Sequence, residues 1–105
     1  MTLNNIYADI PTDLSAEVFE TLAGSKKVTI ERIISKGHCS PAQGWHQQEC
    51  HEWVIVLQGA AILTFEDDSQ VTLNTGDYLN IKPLQKHKVS WTRPEQKTIW
   101  LAIHY

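Results

Sequence analysis

From Lys27 to the C-terminus the sequence breaks into short β-branched or alternating runs, each closed by turn residues, and this punctuation constrains the fold more than any other feature. The runs are 28–34, 50–57, 60–66, 70–73, 78–82, 88–92 and 98–104. Between them stand Ser35-Lys36-Gly37, a loop containing Pro41 and Gly44, Asp67-Asp68-Ser69 and Asn74-Thr75-Gly76. No internal repeat or low-complexity segment is visible. Seven short strands at near-regular spacing predict an all-β sandwich or barrel.

The first 26 residues read differently. Leu14, Val18, Phe19 and Leu22 recur at helical spacing behind Asp13, a plausible N-cap, and ahead of Gly24. They predict a short helix over 13–23, with 4–11 extended before it. The expected organisation is one domain over 1–105, with 1–26 as a covering segment and 27–105 as the β-barrel, because 105 residues suffice for one hydrophobic core.

Within the run 52–57, alternation puts Glu52, Val54 and Val56 on one face and Trp53, Ile55 and Leu57 on the other. Both faces are therefore apolar, and a simple two-layer sheet would leave one of them wet. The second face needs a cover. The N-terminal segment and a second copy of the chain are the two candidates, and the second predicts a homodimer.

A net charge of −3 supplies no field to attract nucleic acid, and no apolar run approaches the ~18 residues of a membrane span. The expectation is a cytoplasmic protein without nucleic-acid or membrane partners, its thiols Cys39 and Cys50 reduced. Nucleophile elbows and phosphate loops are absent from the sequence.

Metal-capable side chains gather at the entrance to the run 52–57, in Trp45-His46-Gln47-Gln48-Glu49-Cys50-His51-Glu52. On a continuous strand His46, Gln48, Cys50 and Glu52 would share one face and His51 would take the other. Glu52 and Gly59 are separated by six residues, and His87 follows Gly76 by eleven positions. In these spacings the chain resembles the cupin superfamily. Its first motif reads Gly, five residues, His-x-His, three or four residues, Glu, six residues, Gly; its second reads Gly, five residues, Pro-x-Gly, two residues, His. The stretches Ile30-Glu31-Arg32-Ile33, Gly37-His38, Glu52-Trp53-Val54, Gly76-Asp77-Tyr78 and Ile99-Trp100-Leu101-Ala102 further resemble small single-domain bacterial cupins without an assigned reaction.

The resemblance implies a double-stranded β-helix, the jelly-roll cupin barrel, with a metal set of His46, Glu52 and His87 and with Gln48 at the position of the second motif histidine. Pro83 sits one position late, and Gln85 or Lys86 stands where a glycine is expected before His87. Two imidazoles and a carboxylate suit a divalent transition metal such as Fe, Zn, Ni or Mn, and the amide of Gln48 is a weaker donor. The implied function is a barrel that binds such a metal together with a small molecule, whether as a metal-dependent enzyme or as a non-enzymatic ligand-binding or sensor module. His38, Cys39 and His104 are expected to be loop and strand-end residues, and Trp45, Trp91 and Trp100 to be core before they are ligand contacts.

Overall fold

The structure is a computed structural model that describes residues 2–40 and 44–105, so Pro41 of the predicted loop lies outside the described residues. The described residues form eight strands: β1 (Val18–Gly24), β2 (Thr29–Ser35), β3 (Glu52–Gln58), β4 (Ala60–Phe65), β5 (Gln70–Asn74), β6 (Tyr78–Ile81), β7 (His87–Thr92) and β8 (Thr98–His104). They make two antiparallel sheets, ordered β1-β2-β8-β3-β6 and β5-β4-β7. The core lies between them, where Ile33, Val54, Val56, Trp100 and Ala102 of the larger sheet meet Ala61, Leu63, Phe65 and Leu73 of the smaller. This is the predicted all-β cupin architecture, and each of the seven predicted strands is present to within two residues.

The predicted N-terminal helix is not. Residues 18–24 are β1, the edge strand paired antiparallel to β2. Val18, Phe19 and Thr21 are β-branched or aromatic residues that suit a strand, and the open edge of β2 offers a ladder of hydrogen bonds that an isolated short helix must do without. Asp13 caps nothing: its Oδ1 accepts the Ser15 N–H at 3.0 Å in a local turn. The covering segment therefore ends before β1, which belongs to the barrel.

That segment lies on the outer face of the larger sheet and is held by a buried charge. Arg32 points outward from β2, ion-pairs with Glu20 at 2.9 Å, and donates to the carbonyls of Ile6, Ala8 and Asp9 at 3.1, 2.6 and 3.3 Å. The Tyr7 hydroxyl donates to the Leu57 carbonyl at 3.3 Å, carrying the cover to the far end of β3. Trp53, Ile55 and Leu57 are half-buried, and Tyr78, whose ring centroid is 5.4 Å from that of Trp53, is 66% exposed. One of the two predicted covers thus accounts for part of this face. Among the described residues no helix is long and apolar enough to cross a membrane.

Gly59 joins β3 in one sheet to β4 in the other. It has φ of 88°, and a Cβ there would come within 2.8 Å of the Thr98 Cα, so this corner tolerates no side chain.

Candidate functional site

Period-two geometry sends Glu52, Val54 and Val56 of β3 inward, together with their register partners His104, Ala102 and Trp100 on β8. One strand further on, Thr29, Glu31 and Ile33 of β2 face the same way. A pocket of about 100 Å³ opens between these strands and the smaller sheet. Its walls carry Ile33, Val54, Leu63, Val89 and Trp100, and its polar groups are Glu17, Glu31, His46, Gln48, Glu52, His87 and His104.

All four residues of the implied metal set line this pocket, but they are not equivalent. Glu52 and His87 are buried on strands, and Glu52 Oε1 lies 3.2 Å from His87 Nε2. Gln48, in the loop before β3, donates its Nε2 to the same Glu52 oxygen at 3.4 Å. His46 is exposed; its backbone pairs with that of His87, and the two rings lie 5.9 Å apart. Residues 46–52 are not one continuous strand, since β3 begins only at Glu52. Cys50 consequently leaves the predicted face, and its Sγ sits 3.7 Å from Gln48 Oε1 outside the pocket wall. His51 faces away as predicted, stacked on Tyr105 with centroids 4.8 Å apart.

The loop ahead of β7 fixes the His87 ring. Leu84 adopts φ of 64°, so the motif glycine is replaced by Leu84 and not by Gln85 or Lys86. Its N–H donates to the Gln48 carbonyl at 2.6 Å, and its carbonyl accepts from Gln47 Nε2 at 3.1 Å. This turn presents the Gln85 carbonyl to His87 Nδ1 at 3.1 Å. A carbonyl only accepts, so Nδ1 carries the proton, and in the neutral ring Nε2 holds a lone pair aimed at a carboxylate. Such a contact requires a proton or a cation between the two atoms. Burial pushes the His87 pKa down, but the hydrogen bonds to Glu52 and to the Gln85 carbonyl, with the Glu52 charge, outweigh it and hold the pKa above its ordinary value.

Glu52 and His87 fit a divalent cation on these grounds. An imidazole with one nitrogen tied to a backbone carbonyl and the other directed at a buried carboxylate is the arrangement that supports metal ligation. Gln48 and His46 also line the pocket, Gln48 half-buried and His46 exposed. Among the described residues, no three His, Cys, Asp or Glu side chains already converge as a ligand group, so the set is paired off and not preformed as a cage.

Sequence reasoning missed a second pair on the same sheet, beside Glu52. His104 and Glu31 form a second imidazole/carboxylate pair at 2.7 Å in the same pocket. Glu17, also in the wall, accepts a hydrogen bond from the buried Ser35 hydroxyl. Parity along 98–104 groups His104 with Trp100, a signal available from the sequence once Trp100 is taken as core.

A family model described as a cupin domain matches residues 30–104. A Ralstonia eutropha JMP134 protein provisionally named mannose-6-phosphate isomerase is 36% identical, with a TM-score of 0.93 over 99% of this chain and 97% of that one. A cupin superfamily protein of Desulfitobacterium hafniense DCB-2 is 21% identical, with a TM-score of 0.74 over 90% of this chain and 82% of that one. An RmlC-like cupin of Methanocaldococcus jannaschii with a double-stranded β-helix fold is 18% identical, with a TM-score of 0.71 over 91% and 85% of the two chains. No curated protein matches the sequence. With its two sheets, its motif residues in one pocket and these relatives, the chain belongs to the cupin family.

Proposed function

We propose that this protein binds a divalent transition metal and a small molecule in the barrel pocket, with His87 Nε2 and the Glu52 carboxylate as the buried ligands and His46 and Gln48 completing the set from the rim. The single observation that carries the reading is the His87 ring: its proton is committed to the Gln85 carbonyl, leaving the nitrogen that faces Glu52 free to bind a cation. A bound metal would supply Lewis acidity toward an oxygen of the small molecule.

The relative's provisional substrate does not transfer readily. Mannose 6-phosphate carries a phosphate, whereas among the described residues the pocket wall contains three glutamates and no lysine or arginine. A small uncharged ligand suits these walls better, and a non-enzymatic ligand-binding or sensor role is the alternative reading. It is favoured by the direct Glu52/His87 contact, which satisfies both groups through a proton alone.

Elemental analysis of tag-free protein, followed by calorimetric titration with Fe, Zn, Ni and Mn, tests the proposal. One metal per chain, lost in His87→Ala, supports it. The absence of metal together with flat titrations would leave the sensor role. We further propose a homodimer through the half-buried face of Trp53, Ile55 and Leu57; a monomer mass by light scattering at micromolar concentration would reject it.

A further inference from the structure

The three carboxylates of the pocket share a pattern that one metal ion does not use up. Glu31 meets His104 Nε2 through Oε1 at 2.7 Å, Glu52 meets His87 and Gln48 through Oε1, and Glu17 accepts from Ser35 through Oε2. The second oxygen of each makes no hydrogen bond among the described residues. Nor are these oxygens sealed in: the buried side-chain atoms without a partner are Arg32 Nε, Trp100 Nε1 and His104 Nδ1. Each glutamate thus keeps one oxygen fixed by the fold and one that a ligand can reach.

Charge then limits what the pocket can hold. No lysine or arginine is among its lining residues. With a divalent metal on Glu52 and His87 and the imidazoles neutral, the three carboxylates leave one negative charge uncompensated, and without the metal they leave more. Apolar surroundings such as Phe19, Ile33, Val54, Leu63 and Trp100 solvate a lone carboxylate poorly, so a positive partner is favoured. Glu31 is the group best placed to receive it. It stands outside the proposed metal set and is oriented by His104, and the next inward residue on β2 is Ile33, whose register partner on β8 is Trp100.

We infer that the small molecule of this pocket is an alkylammonium-type cation, its ammonium group paired with the open oxygen of Glu31 and its short apolar body lying against Ile33 and Trp100. His104 is the positioning residue that holds the carboxylate. A pocket of about 100 Å³ admits only a few heavy atoms. The charge count carries the ligand class beyond the uncharged molecule preferred above to a phosphate. The inference rests on the barrel interior being the ligand pocket, as proposed above, and not on the metal.

Propylammonium, 1-propanol and propionate have bodies of similar size and different charge, and NMR titration of the full chain with each provides the test. Propylammonium should bind roughly tenfold more tightly than 1-propanol, the equivalent of one charge-assisted hydrogen bond, and propionate should bind weakest. The side-chain carboxyl carbon of Glu31 should shift on binding, a readout that needs no variant. Glu31→Gln should abolish the preference for the ammonium, whereas Glu17→Gln should retain most of it. Equal affinities for propylammonium and 1-propanol, no binding of propylammonium, an unmoved Glu31 carboxyl resonance, or a preference that survives in a folded Glu31→Gln protein would each overturn the inference. Binding of 1-propanol that moves the Trp100 resonances, with no preference for the ammonium, would overturn it while leaving the barrel interior as the ligand pocket. Metal content measured on the same samples separates the two readings: a Glu31-dependent preference in metal-free protein upholds this inference while removing the metal.

Discussion

The pocket holds two imidazole/carboxylate pairs that are almost mirror images in hydrogen bonding. In the Glu52/His87 pair the backbone takes the imidazole proton and the carboxylate meets the other nitrogen. In the Glu31/His104 pair the carboxylate takes the proton, and the other nitrogen has no hydrogen-bond partner among the described residues. The first is made by a loop: Leu84 in the left-handed region turns the Gln85 carbonyl onto His87. The second is made by register alone, since the antiparallel pairing of β2 and β8 brings residues from near the two ends of the barrel sequence side by side. Loop geometry can therefore tune one pair without disturbing the other, while sheet packing holds both.

The packing they share is where the largest effect is expected. Trp100 is paired with Ile33 on β2 and with Val56 on β3, and it is 3% exposed between the strands that carry the two pairs. Trp100→Ala should cost about 3–5 kcal/mol through lost burial and the cavity left behind. Urea denaturation would register this as a lower midpoint, and the side-chain resonances of both His87 and His104 should shift. A loss below about 1 kcal/mol would mean that the walls around the two pairs are not one packed unit.

This contrast also accounts for what could be read from the sequence. Alternation and turn residues located seven strands, and motif spacing located Glu52, His87 and Gly59, because these signals are local. The interval 13–23 misled because its apolar spacing fits a helix, whereas the free edge of β2, a non-local partner, makes 18–24 a strand. Glu31 and His104 each lie on the correct face by parity. That they touch depends on β2 and β8 being neighbours, which no local pattern encodes. Leu84 was missed for a different reason: the motif spacing, counted three residues back from His87, falls on position 84, but a leucine there carries no sign of its own that its backbone adopts a glycine conformation.

Leu84 permits an intermediate perturbation of the first pair only. Leucine at positive φ is already strained by about 1 kcal/mol, and a β-branched side chain resists that conformation further. Leu84→Ile should therefore destabilise the protein by about 1–2 kcal/mol, while Leu84→Gly should be nearly neutral, relief of strain being offset by the greater freedom of the unfolded chain. In heteronuclear spectra the Leu84→Ile change should move the His87 ring resonances and leave those of His104 in place. Equal movement of both would show that the two pairs are coupled through more than their shared wall.

The smallest expected effect is the pH dependence of the metal-free protein. The folded-state pKa of His87 lies above its ordinary value: burial lowers it, but the Glu52 hydrogen bond, the Gln85 carbonyl and the Glu52 charge together outweigh burial. A raised folded pKa means that the folded chain holds this proton more tightly than the unfolded chain does. Its stabilisation is fully present below the ordinary histidine pKa and is lost as pH rises through the raised value. Glu52→Gln removes the charge and lets the amide N–H donate to the Nε2 lone pair, which favours neutral His87 and cancels that slope. Stability measured by urea denaturation across this interval should therefore fall with pH in the wild type more than in Glu52→Gln. Identical slopes would mean that Glu52 does not hold a proton on His87, and the contact at 3.2 Å would then need the cation.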